Sequence, residues 1–296
     1  MPRGFNYVLG PALAIAGIVF LSAPVFASTA VLKKDAGPFI PNTDEFASAV
    51  VMVPKTHQVL YGFKPHQARS AASLTKLTNA LAFLKTNPQM TKVVAMKAKD
   101  EVGGGRLRVK TGATLSITDL LFSSITASAN NAAMALARVS GYGLAQFLVS
   151  MNREAKAAGA IHSKFVDPAG MDPQNQTTAY DVALIAEKAF SSKPIQRAAS
   201  TDAYTFVIRN TGETHTVKNT NQLLTDDPEV YVVGGKTGYL EESLYNLVTQ
   251  VRPLNADGTS NSAQELIVVV MGAPDKATMF SAAKRLADWA WQNYEF

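Results

Sequence analysis

The sequence predicts an α+β domain in which an antiparallel sheet is assembled from N- and C-terminal segments, with a helical insertion between them. Three observations predict it. Short β-prone runs sit towards both ends, the middle carries helical periodicity, and strands do not alternate with helices as a parallel βαβ plan requires. With 296 residues, 47% hydrophobic and 17% charged, the chain can bury a sizeable core, which excludes wholesale disorder. It has no heptad, collagen-like or fixed-period repeat, so fibrous and solenoid readings fall away.

At the N-terminus, Arg3 precedes an uncharged run from Val8 to Ala27, and Val25-Phe26-Ala27 supplies small residues ahead of a cleavage point before Ser28. Residues 1–27 therefore read as an export signal. The run approaches a membrane span in length, so an uncleaved N-terminal anchor is the rival reading. Residues 28–45, with Lys33, Lys34, Gly37, Pro38 and Pro41, read as a lead-in segment without a packed element. The folded domain then covers 46–296, with no additional C-terminal β-domain or amphipathic tail.

Within it, Ala47 to Val53 and Gln58 to Phe63 form a hairpin around Pro54-Lys55-Thr56-His57, and Leu74 to Lys85 turns helical. Val93 to Ala98 and Leu107 to Val109 read as strands around the Gly103-Gly104-Gly105 turn. Helices follow at Ile117 to Ala127 and Ala129 to Val139, then at 143–158, 178–190 and 277–293. Tyr204 to Arg209 and Thr214 to Lys218 form a second hairpin. Tyr245 to Val251 and Glu265 to Gly272 are two further strands, the latter buried on both faces. A cleft between sheet and helical cluster is the natural place for a site.

Composition narrows the chemistry. The absence of cysteine excludes disulfides, thiolate metal sites and cysteine nucleophiles. The formal charge of +5 is dispersed, and no basic run is interleaved with aromatics, so nucleic acid is not an expected partner. A mildly basic surface suits an anionic polymer or a membrane neighbourhood. His57, His66, His162 and His215 lack metal-ligand spacing, so no metal or cofactor is expected. Trp289 and Trp291 read as packing residues.

Three short motifs carry the chemistry. Ser73-Leu74-Thr75-Lys76 sits where a loop enters a helix, which places Ser73 at the helix N-terminus and Lys76 on the same face one turn on. The helix dipole and free N–H groups there favour a developing oxyanion and disfavour a protonated lysine, so a buried neutral Lys76 can accept the Ser73 proton. Ser128-Ala129-Asn130 interrupts two apolar helices, although a simple helix cap looks the same. Lys236-Thr237-Gly238 follows Val232-Val233-Gly234-Gly235, where a strand edge free of bulk presents a cation, a hydroxyl and backbone N–H groups to a ligand carboxylate. Each tripeptide or tetrapeptide alone is weak: Ser281 and Lys284 repeat the first spacing, and Lys110-Thr111-Gly112 repeats the third.

Order separates signal from coincidence. The chain resembles the low-molecular-mass penicillin-binding proteins, the serine D-Ala-D-Ala carboxypeptidase and endopeptidase family (peptidase family S11, with a β-lactamase/transpeptidase-like fold), over roughly residues 46 to 294. Its motifs follow the family order, and both decoys fail on order. Surrounding residues agree: Leu120-Leu121 ahead of Ser128, Asn219-Thr220-Asn221 before the Lys236 strand, and Ala283-Lys284-Arg285-Leu286 in the closing helix. There are departures. Ala129 replaces a usual glycine, Ser243-Leu244 stands where a glycine tends to follow Lys-Thr-Gly, and Asp167 takes the place of a common asparagine in the loop Phe165 to Asp172.

The resemblance implies a serine peptidase acting through an acyl-enzyme on peptidoglycan stem peptides and acylated by β-lactam antibiotics, working outside the cytoplasm. Ser73 would be the nucleophile, Lys76 the base and Ser128 the proton relay. Asn130, Lys236, Thr237, Gly238 and Tyr239 would bind substrate, with the N–H groups of Ser73 and Tyr239 polarising the carbonyl. Carboxypeptidase is the leading reading and cross-link endopeptidase the alternative. A serine β-lactamase shares the motifs but needs a Glu-x-x-Leu-Asn element that this chain lacks. A cell-wall-binding protein without catalysis is the last rival. A phosphate-binding loop at Gly235-Lys236-Thr237 fails because Val230 stands where its first glycine is required.

Overall fold

A few aliphatic strands buried on both faces organise the molecule. The computed structural model describes Met1 and residues 29–42, 44–227 and 229–296; the segment expected to direct export, within 1–27, lies outside the described residues apart from Met1. Five strands, β1 (Ser48–Val53), β2 (Gln58–Phe63), β3 (Val230–Leu240), β4 (Leu244–Pro253) and β5 (Leu266–Ala273), form one sheet in the order β3-β4-β5-β1-β2. Every neighbouring pair is antiparallel. The sheet thus joins the two ends of the domain, as the sequence predicts.

Because strand side chains alternate between faces, β1 and β5 serve two cores. Val50, Met52, Ile267, Val269 and Met271 pack with the helical lobe. Val51, Val53, Leu266, Val268 and Val270 pack under the closing helix, Lys276–Asn293, against Met279, Phe280, Leu286 and Ala290. Burial of each such aliphatic side chain stabilises the fold by about 1.5–3 kcal/mol. Among the described residues no single helix is long and apolar enough to cross a membrane.

The helical lobe holds α1 (Thr75–Leu84), α2 (Ile117–Thr126), α3 (Asn130–Val139), α4 (Leu144–Ala157), α5 (Ala179–Phe190) and α6 (Lys193–Ala199). Local chemistry sets their starts. Ser116 and Asp119 cap α2 reciprocally, Thr178 caps α5 through the Asp181 N–H, and Asp275 caps the closing helix through the Thr278 N–H. Helix α6 falls outside the predicted helices. Pro194 lies in its first turn, where the missing N–H costs nothing and the fixed φ suits a helix.

Two expectations are corrected. The predicted strand at Leu107 to Val109 lies outside any ladder, with the Val109 N–H turned back onto the Leu107 carbonyl at 3.0 Å, and Val93–Ala95 pairs instead with Thr114–Ser116. The Asn131 side chain satisfies Leu107 in place of a neighbouring strand: its Oδ1 accepts the Leu107 N–H at 2.8 Å and its Nδ2 donates to the Leu107 carbonyl at 2.9 Å. The lead-in, expected to lack packed structure, contributes Val31–Leu32 to a two-stranded pair with Tyr294–Glu295. Trp289 Nε1 donates to the Gly37 carbonyl at 2.8 Å, Arg285 pairs with Glu45, and Phe39 meets Trp289 edge to face. The aromatic outer face of the closing helix needs cover, and the lead-in supplies it.

Candidate active site

Residues 72–74 form one tight 3-10 turn leading into α1, and no side chain caps either element, which leaves the Ser73 hydroxyl free. Ala72 is held at φ 45°, a conformation that side chains rarely adopt. The loop packed on it explains why. A Cβ at Gly170, itself at φ 79°, would stand 2.0 Å from the Ala72 carbonyl oxygen, so only glycine fits beneath the turn.

Lys76 is fully buried, and its Nζ lies 2.7 Å from Ser73 Oγ, 2.7 Å from Asn130 Oδ1 and 2.6 Å from the Ala169 carbonyl oxygen. As an ammonium it donates to all three. As an amine it donates to Asn130 and Ala169 and offers its lone pair to the Ser73 proton. Burial brings its pKa from the ordinary lysine value down to about 7, with the charge of Asp167 pulling the other way, so both forms are accessible near neutrality. A reversible proton acceptor beside a hydroxyl is what nucleophile activation requires.

Ser128 opens α3 but does not cap it. The N-cap residue is Ala129, which makes no side-chain cap, and Ser128 sits at φ 58° with its Oγ accepting from Lys236 Nζ at 2.7 Å. Asn130 is fixed from two sides: its Nδ2 donates to the Gly103 carbonyl at 2.8 Å and lies 2.9 Å from Met171 Sδ, while its backbone N–H donates to Gly105 at 2.8 Å. Among the described residues Ser128 makes no direct hydrogen bond to Ser73 or Lys76; it belongs to the Lys236 side.

Strand β3 forms the opposite wall. It is the edge strand, and at Gly238 its backbone approaches the Ser73 turn so closely that a Cβ would lie 3.1 Å from Ser73 N and 3.3 Å from the Ala71 carbonyl oxygen. Lys236 is 1% exposed and also donates to the Thr237 carbonyl at 2.8 Å. Burial first, and then the neighbouring Lys76, hold it well below the ordinary lysine range. The sequence reads Lys236 as a cation for a ligand carboxylate; burial disfavours its charged form, and an anion placed against it would favour that form. Thr237 Oγ1 lies 2.6 Å from Thr220 Oγ1. The Tyr239 ring is half exposed and packs 4.5 Å, centroid to centroid, from Tyr245.

Ser73, Ser128, Asn130, Thr237, Gly238 and Tyr239 line one cleft of about 490 Å³, with Lys76 and Lys236 hydrogen-bonded to the two serines at its floor. All eight sequence-predicted residues thus converge. Sequence reasoning missed the Ala169 carbonyl, which no side-chain motif could reveal, and Thr220, whose only signal was its place in Asn219-Thr220-Asn221. Asp167 caps its own loop, accepting the N–H groups of Ala169, Gly170 and Asp172 at 2.7, 2.9 and 2.8 Å. The turn without its usual glycine is closed differently: Leu244 takes φ 57°, and Ser243 Oγ donates to the Leu244 carbonyl at 2.9 Å. Of the histidines, His57 meets Glu187 at 2.7 Å, a pairing hidden in sequence, and none lines the cleft.

The family described as D-alanyl-D-alanine carboxypeptidase, peptidase S11, matches residues 40–275. The chain belongs to this family. It is 28% identical over 94% of its length to D-alanyl-D-alanine carboxypeptidase DacF of Bacillus subtilis, 70% of which is covered. It is 29% identical over 94% of its length to D-alanyl-D-alanine endopeptidase of Escherichia coli K12, with 87% of that protein covered. The Streptomyces K15 DD-transpeptidase shares the fold, with a TM-score of 0.76 over 86% of this chain and 100% of that one at 24% identity.

Proposed function

We propose that this family member is a serine D-Ala-D-Ala carboxypeptidase that trims peptidoglycan stem peptides through an acyl-enzyme. The observation that carries this reading is Lys76 Nζ, desolvated and 2.7 Å from Ser73 Oγ, facing a second lysine across one cleft. Ser73 Oγ attacks the carbonyl of the scissile D-Ala-D-Ala bond as Lys76 takes its proton. The N–H groups of Ser73 and Tyr239 receive the oxyanion. As the C–N bond breaks, Ser128 gives its proton to the departing amine and is reprotonated by the proton that Lys76 took from Ser73, which returns Lys76 to the amine, while Lys236 and Thr237 hold the carboxylate of the leaving D-alanine. Asn130 keeps Lys76 and the substrate amide in register. Water then cleaves the ester, returns the proton to Ser73 Oγ and releases the shortened peptide.

A β-lactam ring presents the same reactive carbonyl and a carboxylate for Lys236, so it acylates Ser73, and with no Glu-x-x-Leu-Asn element the adduct is slow to hydrolyse. Ser73→Ala abolishes labelling by a fluorescent penicillin and D-alanine release from a soluble pentapeptide; full labelling of that variant overturns the nucleophile assignment. Cross-link cleavage is the second reading, favoured by relatives named endopeptidases. Purified cross-linked muropeptides assayed beside the pentapeptide separate the two, and inactivity on both supports a binding role. The enzyme works outside the cytoplasm, directed by residues 1–27, either cleaved or kept as an anchor. Cell fractionation with N-terminal sequencing of the exported chain decides which.

A further inference from the structure

Beyond the catalytic cleft, the chain from Gly104 to Lys110 forms a surface strip that alternates burial with charge. Arg106, Arg108 and Lys110 are exposed, Leu107 is 2% exposed, and Val109 is half-buried. The Val109 N–H donates to the Leu107 carbonyl at 3.0 Å, a three-residue turn with Arg108 at its apex, so the three cations follow one another as a short row along the surface. None of them forms an ion pair or a side-chain hydrogen bond among the described residues. The row is held rigidly against the site. Asn130 binds Gly103 and Gly105, and the next residue, Asn131, takes both backbone groups of Leu107.

The strip links two cavities. Gly104 and Gly105 line the catalytic cleft, and Arg108 and Lys110 line a second cavity of about 620 Å³ against the hairpin of residues 203–218, with His215 and one acid, Glu213, on its far wall. A catalytic cleft that opens onto a fixed row of unpaired cations fits a substrate that continues beyond the scissile bond as a polyanion. We propose that Arg106, Arg108 and Lys110 form a polymer-binding strip for the free carboxylates of neighbouring stem peptides on a peptidoglycan strand. The inference rests on the peptidase reading above, and it adds that the enzyme grips polymer more tightly than it grips an isolated peptide.

The test uses the full chain carrying Arg108→Glu and Lys110→Glu, neither of which touches the catalytic residues. Penicillin labelling and D-alanine release from a soluble pentapeptide stay within about twofold of the unsubstituted protein, whereas binding to purified insoluble peptidoglycan falls by about tenfold or more and loses its salt dependence. Binding is read in a Ser73→Ala background, so it does not depend on turnover. Unsubstituted protein should also lose affinity for peptidoglycan whose carboxylates have been amidated. Polymer binding that is unchanged in the double variant, or unchanged by amidation, overturns the proposal. Absent penicillin labelling of the unsubstituted protein sinks the peptidase reading instead. If the charge reversal alone impairs labelling, Arg108→Gln with Lys110→Gln replaces it, and the same comparison decides.

Discussion

Two buried lysines face each other across the cleft, and their surroundings differ in one respect that separates their chemistry. Both are at most 1% exposed, and each has its Nζ 2.7 Å from a serine hydroxyl. Lys76, on the helical lobe, has Asn130 Oδ1 and the Ala169 carbonyl as acceptors and feels the charge of Asp167. Lys236, on the sheet edge, has among the described residues only Ser128 and the Thr237 carbonyl as acceptors, and the like charge of Lys76 acts on it. Lys76 thus carries its own partial compensation and can cycle a proton near neutrality. Among the described residues Lys236 has no anionic partner, so in the mechanism proposed above the favourable charge for its ammonium arrives with the substrate. In the proposed mechanism, desolvation prepares one lysine as a base and the other as a receptor for a carboxylate.

The comparison makes the two lysines separable by kinetics. Lys76→Met keeps the chain length and removes the proton acceptor, so acylation by a fluorescent penicillin falls by about 10³-fold, within the range ascribed to general-base groups. Lys236→Met removes a charge-assisted contact to the leaving residue, and KM for a D-Ala-D-Ala pentapeptide rises by about 10- to 100-fold. Steady-state assays of D-alanine release give the second value. A Lys236→Met variant that lost kcat with KM unchanged would show that Lys236 acts on the reacting bond, and the division of labour drawn here would fail.

The unequal legibility of the two sides follows from the same physics. Ser73-x-x-Lys76 is a contact between residues one helical turn apart, so the sequence displays it directly. The partners of Ser128 and Lys236 are 108 positions apart and met only because the order of motifs matched a family. The sheet was readable because β1 and β5 are aliphatic on both faces, whereas the Leu107 strip imitated a strand: its alternation is real, but Asn131 rather than a ladder satisfies it. The Ala169 carbonyl was silent, since a main-chain acceptor leaves no residue-type signature, whereas Asp167 showed in the sequence as a departure from the family's loop. The lead-in was misjudged for a related reason. Its prolines and glycine signal irregular backbone, and irregular backbone still buries against an aromatic helix.

Asp167 offers the finest test of the lysine comparison, with the smallest expected effect. Its carboxylate accepts three loop N–H groups and the Asn175 amide at 3.0 Å, and it orients the loop whose Ala169 carbonyl meets Lys76. Lys76 is faced by this acid and by Lys236; the acid raises its pKa against the dominant pull of burial. Asp167→Asn removes the charge, so the Lys76 pKa moves further below about 7. Acylation needs the amine, whose fraction falls as pH drops through that value. The acidic limb of the penicillin acylation profile therefore shifts to lower pH in the variant. At pH 6 the variant gains by at most about tenfold relative to its own plateau, because one pKa unit corresponds to a tenfold change in the two forms. Asparagine turns one acceptor into a donor facing the Asp172 N–H, so the plateau itself falls somewhat. A purely structural role for Asp167 predicts that drop with an unmoved limb, which is the outcome that would detach Asp167 from Lys76 and leave burial alone to set the base.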